Sequence, residues 1–282
     1  MALSGREFFR RRYEELGGKI VDLKLPVCIR INTLRKDDVL FCLKKRDIKL
    51  EKVSFLPNAY YVKSKFSVSA LTEHLLGYYY IQSAAAQLPA LVLDPKPNED
   101  ILDMCAAPGG KCTQLAALMK NKGRLFAFEL KRERLLSLVT NLERCGVNNC
   151  VAFCGDASRS QKLNIKFDKI LLDAPCSGNF VSDRDWFKRR NLDGIKRSAA
   201  IQRRLLRIAA NVLKPGGTLV YSTCSLDPLE NEDNVQWAID NLPLKLVDTG
   251  LNIGDPALEK CRRFWPHKTK TEGFFIAKYA RS

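Results

Sequence analysis

Ile101-Leu102-Asp103-Met104-Cys105-Ala106-Ala107-Pro108-Gly109-Gly110-Lys111 runs from an apolar strand signal through a loop of small residues into a helix predicted over Lys111 to Met119. A glycine-rich turn between strand and helix lets a ligand approach the backbone closely. The turn matches neither the G-x-G-x-x-G dinucleotide fingerprint nor the G-x-x-x-x-G-K-[ST] phosphate loop. The next strand signal, Arg124 to Glu129, ends in an acid 20 residues beyond Gly109, placed to accept hydrogen bonds from both hydroxyls of a ribose. A third strand, Cys150 to Cys154, is followed by Gly155-Asp156, whose carboxylate suits an adenine amino group. Together these acids and this loop point to an adenosine-bearing ligand without a pyrophosphate, a description that S-adenosylmethionine meets.

Outward from the loop, strand and helix signals alternate. Strands are predicted at Phe167 to Asp173 and Thr218 to Thr223, with helices at Arg132 to Cys145, Arg197 to Leu213 and Glu230 to Asn241, and final strands at Leu244 to Val247 and Gly273 to Tyr279. Such alternation predicts an α/β, Rossmann-like domain built on a mostly parallel sheet, with its ligand at the carboxyl ends of the strands. Before it, a helix is predicted over about 4–17, a strand at Val27 to Ile31, a basic helix over 36–46, a strand over 59–63 and a helix from Gln82 to Val92. The Pro-rich stretch Asp94-Pro95-Lys96-Pro97-Asn98 marks the expected boundary. The predicted division is a small, basic α+β module over 1–95 and a catalytic domain over 96–282.

Lys and Arg outnumber Asp and Glu by 47 to 31, a formal charge of +16, which favours a polyanionic partner. With 46% hydrophobic residues the chain can build a core, and no stretch is long enough to span a membrane. The ten cysteines form no C-x-x-C pair, and Cys145, Cys150 and Cys154 fit neither a zinc ribbon nor a common iron–sulfur run, so no metal is expected. An apolar leader is not evident either, so an intracellular, cytoplasmic location with free thiols is expected.

Two cysteines stand apart. Asp173-Ala174-Pro175-Cys176-Ser177-Gly178 caps the fourth strand and Ser222-Thr223-Cys224-Ser225 the fifth. If those strands are neighbours, two thiols face one cleft. Carbon 5 of cytosine is a poor nucleophile, but a thiolate that adds to carbon 6 makes it enamine-like and able to attack a methylsulfonium. A second group then assists release, and Asp173 is placed to hold the base edge. Lys111 is expected to help lower a thiol pKa.

Cys105 to Lys111 as CAAPGGK, Asp173 to Gly178 as DAPCSG, and Ser222 to Ser225 as STCS followed by Glu230-Asn231-Glu232 resemble, in this order, the Sun family of RNA cytosine-5 methyltransferases. Arg30 to Leu34, Gly77 to Gln82 and Gly273 to Lys278 are similar to it too, so the likeness covers almost the whole chain. It implies an S-adenosylmethionine-dependent fold, an amino-terminal module like an RNA-recognition motif, Cys224 as nucleophile and Cys176 as an aid to product release. DNA cytosine-5 methyltransferases use a Pro-Cys thiol instead, which makes Cys176 the rival. The family pattern puts Glu129, Asp156 and Asp173 at the cofactor beside Cys105, Ala106, Ala107, Pro108, Gly109, Gly110 and Lys111, and suggests Arg134. Cys112 stands where members often have Thr, and Asn179 to Ser182 lack a second Gly common after the Pro-Cys motif. The compact layout, with no further carboxy-terminal RNA-binding domain expected, resembles archaeal tRNA-methylating members. A monomer acting on tRNA is the expectation; rRNA, or RNA binding without catalysis, is the alternative.

Candidates for phosphate contact are Arg6, Arg10, Arg11, Arg12, Lys44, Lys45, Arg46, Lys188, Arg189, Arg190, Lys196 and Arg197. Phe180, Trp186 and Phe187 either stack on RNA bases or pack in the core. His267 either lines the cleft or sits in a turn.

Overall fold

The computed structural model describes residues 4–35, 38–258 and 260–282. In chain order the elements are helix α1 (Arg6–Glu14), strand β1 (Val27–Ile31), α2 (Val39–Lys45), β2 (Lys49–Lys52), β3 (Ala59–Lys63), α3 (Thr72–Leu75), β4 (Tyr79–Ile81), α4 (Leu88–Leu93) and β5 (Asp100–Asp103). There follow α5 (Gly110–Leu118), β6 (Arg124–Glu129), α6 (Arg132–Cys145), β7 (Cys150–Cys154), β8 (Phe167–Asp173), α7 (Trp186–Arg189), α8 (Leu192–Val212) and β9 (Leu213–Thr223). The chain ends with α9 (Glu232–Asn241), β10 (Leu244–Val247), β11 (Asp255–Ala257), β12 (Cys261–Phe264), α10 (Pro266–Thr269) and β13 (Phe274–Arg281).

The larger sheet has nine strands, in the order β11-β12-β13-β9-β8-β5-β6-β7, with β10 also paired to β13. Strands β5 to β9 pair in parallel and the carboxy-terminal ones antiparallel. The parallel strands are apolar because both faces are covered. Ile101, Leu171 and Val220 point into one core, and Leu102, Ile170, Leu172, Leu219 and Tyr221 into the other, as the period of two requires. The expected Rossmann-like α/β domain is the one observed. The β11–β12 hairpin was not foreseen, and β9 begins five residues before the predicted Thr218.

The smaller sheet, in the order β2-β3-β1-β4, is antiparallel throughout. Its elements follow a β-α-β-β-α-β order, and a four-stranded sheet of this kind is the frame of an RNA-recognition motif. One face carries Ile29, Val62 and Tyr79 against Val39 and Leu43 of α2. The other, which such motifs use to stack bases, is closed: Cys28, Ala59 and Tyr61 join the core cluster that also holds Leu115 of α5 and Val220 of β9.

Two helices that the sequence places before the boundary pack on the larger unit. Helix α4, preceded by a tight 3-10 turn at Ala85–Gln87, lies against β8, β9 and α5. Helix α1 buries Phe9 and Tyr13 with Trp186, Ile195, Leu226 and Trp265. Tight packing decides the aromatic question for Trp186, which is fully buried; Phe180 and Phe187 stack on each other, ring centroids 5.5 Å apart, at the margin of that cluster. Lys36 and Asp37, at the start of the predicted basic helix, lie outside the described residues.

Candidate active site

The loop after β5 is held from several sides. Gly109 opens α5 with φ 110°, a left-handed conformation that favours glycine, and a Cβ there would come within 3.2 Å of Leu138. Arg134 donates to the carbonyl of Ala107 at 2.6 Å and Asn141 to that of Pro108 at 2.8 Å. From the smaller sheet, Arg30 donates to Gly110 O at 3.0 Å, to Thr113 Oγ1 at 2.8 Å and to Gln82 Oε1 at 3.0 Å. The guanidinium of Arg30 is buried with no carboxylate on it in these contacts, and burial pulls its pKa down to about 10.

A cavity of about 310 Å³ opens at the carboxyl ends of the parallel strands. Its wall brings together Cys105, Ala107, Glu129, Arg134, Asp156, Asp173, Cys176 and Cys224, eight of the residues expected at the site. Ala106, Pro108, Gly110 and Lys111 of the loop line an adjoining cavity of about 200 Å³, which shares Cys105, Ala107 and Asp173 with the first; Gly109 lines neither. Glu129 is 3% exposed; its Oε1 accepts from the backbone N–H of Lys131 at 2.9 Å and Arg134 lies 3.4 Å from Oε2. Asp156 accepts from Ser158 N–H at 2.9 Å and pairs with Arg204 of α8 at 2.6 Å, and this pairing lowers its pKa to about 2. The sequence carried no signal for Arg204, because α8 approaches from far along the chain.

The two cysteine loops meet because β8 and β9 are parallel neighbours, with Asp173 opposite Ser222. The Sγ atoms of Cys176 and Cys224 lie 2.8 Å apart. Asp173 accepts from Lys111 Nζ at 2.7 Å and from Ser222 Oγ at 2.7 Å, so the cofactor loop, the fourth strand and the fifth are tied at one carboxylate. Burial opposes the charge on Lys111, but Asp173, with Asp103 and Cys224 nearby, raises its pKa overall. In the Cys176 thiol, the Cys224 sulfur, then burial, then Glu230 push the pKa well above its usual range. Asn179 Nδ2 donates to Cys224 O at 2.7 Å and to Gly273 O at 3.1 Å, so the residue standing where relatives often carry other sequence fixes the second cysteine loop.

Asp103, which the strand pattern does not single out, also belongs to the site's surroundings. It is 1% exposed, accepts from Cys105 N–H at 3.3 Å, and its Oδ2 has no partner. Burial and the nearby Asp173 raise its pKa to about 7. His267 lies in α10 beside the Trp265 ring and lines neither cavity. Several phosphate candidates are occupied: Arg10 and Arg11 pair with Glu7, Arg12 with Asp227, Arg46 with Glu73, and Lys188 and Arg189 with Asp185. All ten cysteines are free, and among the described residues no cluster could hold a metal ion and no helix is long and apolar enough to cross a membrane.

Residues 90–280 match the model of the 16S rRNA methyltransferase RsmB/F family, and residues 6–84 match the N-terminal domain of 16S rRNA methyltransferase RsmF. A 28S rRNA (cytosine(4447)-C(5))-methyltransferase of Homo sapiens is 39% identical over 278 residues, 91% of this chain but 34% of its own length. A tRNA (cytosine(72)-C(5))-methyltransferase of Pyrococcus horikoshii is 43% identical over 214 residues, 75% of this chain and 54% of its own. A tRNA (cytosine(49)-C(5))-methyltransferase of Pyrococcus abyssi is 38% identical over 272 residues, 89% of this chain and 86% of its own. The chain thus spans about a third of the human relative and about half of the first Pyrococcus one. A methyltransferase homologue of P. horikoshii superposes with a TM-score of 0.87 at 38% identity, covering 99% of this chain and 96% of that one. NSun6 of the same organism, solved with SFG, an S-adenosylmethionine analogue, superposes with a TM-score of 0.86 at 29% identity, covering 99% and 95%. On the length of the family match and these identities, the chain belongs to the RsmB/F family of RNA methyltransferases, the family its three cysteine-bearing motifs resemble.

Proposed function

We propose that this protein methylates carbon 5 of a cytosine in RNA, with S-adenosylmethionine as cofactor and Cys224 as nucleophile. The observation that carries the reading is the pair of thiols 2.8 Å apart on the wall of a cavity that also presents Glu129 and Asp156. The donor set fits the cofactor. Glu129, beside Arg134 and the Lys131 N–H, lines the cavity where ribose hydroxyls would lie, Asp156 faces the same space, and the small-residue loop leaves room for the methionyl part without offering a phosphate cradle. Bound there, the cofactor supplies an electrophilic methyl group.

The chain's own residues do the rest. Cys224 adds to carbon 6 of the flipped base, and electron density at carbon 5 rises. Asp173, held by Lys111 and Ser222, grips the base edge and stays fixed as charge develops. After transfer a base takes the carbon 5 proton, the electron pair left behind forms the carbon 5–carbon 6 double bond, and the Cys224–carbon 6 bond breaks, with Cys176 in contact to assist. The roles of Ala106, Pro108, Gly109, Gly110 and Arg134 are to shape and hold the loop around the cofactor.

The substrate proposed is tRNA, on the strength of the Pyrococcus relatives; the human relative makes rRNA the alternative. The functional division at 95/96, monomeric state and cytoplasmic location belong to the same proposal. The test is transfer of labelled methyl to unmodified tRNA, rRNA and duplex DNA, followed by nucleoside analysis. Label in 5-methylcytidine from tRNA supports the reading. Label in rRNA alone moves the substrate, and label only in DNA, or in another nucleoside, overturns it.

A further inference from the structure

Glu230 lies in a 3-10 turn six residues after Cys224 and is completely buried. Its Oε1 accepts from the backbone N–H of Ser177 at 2.9 Å and from Gln202 Nε2 at 2.9 Å; its Oε2 accepts from Ser177 Oγ. Gln202 Nε2 also donates to Pro175 O at 2.9 Å. The residues on both sides of Cys176 are therefore anchored through one carboxylate. Ser177 Oγ lies 3.3 Å from Ser225 Oγ, which continues the chain of contacts to the residue after Cys224. The groups bonded to this carboxylate are neutral donors, and among the described residues no ion pair involves it.

A buried carboxylate without a cation is costly unless its hydrogen bonds are well made. Burial raises the Glu230 pKa overall, and the three donors turned onto it oppose that rise. Nearby charges are committed elsewhere. Arg12 pairs with Asp227, Lys111 with Asp173, Arg263 with Glu232, and Arg203 bonds Asn234. The other titratable groups facing this site are Tyr13 and Tyr221, whose pKa values burial pushes up, and the two thiols. The negative field thus falls on Cys176, while Cys224 is the thiol that interacts with Lys111.

We propose that Glu230 is a positioning residue: it clamps the Cys176 loop onto the Cys224 loop and divides their work, keeping Cys176 a protonated thiol while Cys224 serves as the thiolate. This rests on the cytosine-5 methylation reading for its purpose, but the clamp itself is testable without RNA. A protonated Cys176 beside the departing Cys224 sulfur can hand it a proton as the carbon–sulfur bond breaks, and the Cys176 thiolate so formed takes the carbon 5 proton, whose electron pair becomes the carbon 5–carbon 6 double bond, so the release step balances.

The experiment uses the full chain with Glu230→Gln. In a Cys224→Ser background, the pH at half-maximal iodoacetamide labelling of Cys176, read by peptide mass spectrometry, is expected to fall by about one unit. In the otherwise native chain kcat is expected to fall at least about tenfold with KM for RNA little changed. An unmoved labelling midpoint overturns the division of labour even if methylation is lost. Should Glu230→Gln fail to fold, Ser177→Ala removes only the hydroxyl bridge. It is expected to slow capture of the Cys176–Cys224 pair by phenylarsine oxide severalfold, and an unchanged capture rate overturns the clamp. If the native chain methylates no RNA, both labelling experiments still read the clamp, so the two failures are distinct.

Discussion

Arg12 of the first helix grips Asp227, 215 residues away, with Nε 2.7 Å from Oδ2 and Nη2 3.0 Å from Oδ1. Asp227 is fully buried three residues beyond Cys224 and also accepts from Leu229 N–H. One turn earlier on α1, Phe9 meets Trp186 with centroids 4.6 Å apart, and Trp186 Nε1 donates to Ser177 O at 2.9 Å. The helix thereby braces both cysteine loops from behind.

Arg12→Ala leaves a buried carboxylate without its cation, and breaking such a pair costs about 3 kcal/mol. A fall in the thermal midpoint of several degrees is expected. Arg12→Lys should recover only part of it, because an ammonium cannot make the two-pronged contact. Equal stability of Arg12→Ala and the native chain, measured by calorimetry, refutes the brace.

Arg30 offers a second test. It reaches from β1 to the first turn of α5 and sits against the Tyr80 ring, 5.8 Å from its centroid. Arg30→Met keeps much of the volume and removes the donors to Gly110 and Thr113. The loop it anchors should loosen, weakening S-adenosylmethionine binding about tenfold while circular dichroism stays near native. Unaltered affinity by isothermal titration would show that the smaller sheet does not support the cofactor loop.

The sequence made the larger domain legible because its parallel strands are unbroken apolar runs with chemistry at their ends. The juxtaposition of Asp173, Cys176 and Cys224 follows from the strand order alone, since these neighbouring strand ends share one rim. The partners that hold them were not legible. Arg12, Arg204 and Glu230 act across long sequence separations, and a basic helix such as α1 looks the same whether it meets phosphates or a buried Asp227. Arg30 sits in an ordinary alternating strand; its burial depends on a second unit closing over that face. Strands β2, β11 and β12 were missed because they are short, polar pieces whose pairing, rather than propensity, makes them strands.

The two thiols predict opposite phenotypes. Cys224→Ala is expected to abolish methyl transfer while leaving cofactor binding intact. Cys176→Ala is expected to methylate once, release poorly and accumulate a protein–RNA adduct visible as a slow band on denaturing gels. Loss of activity without an adduct in Cys176→Ala, combined with residual activity in Cys224→Ala, would exchange the two roles.

Asp103 gives the protein a pH dependence of definite sign. Burial and Asp173 raise its folded pKa to about 7, whereas an unfolded Asp titrates near its ordinary value of 3.8. Between these values the folded state holds a proton that the unfolded state has released, so stability present at low pH is lost as the pH rises through this window. Asp103→Asn removes the titration but keeps an oxygen for the N–H of Cys105. The variant's melting temperature should therefore gain on the native protein as the pH is raised from about 4 to about 7, and the gap should level off above that. A gap that is constant across the range would mean that Asp103 is ionised in the folded protein throughout, with a cation or solvent at the oxygen that now has no partner.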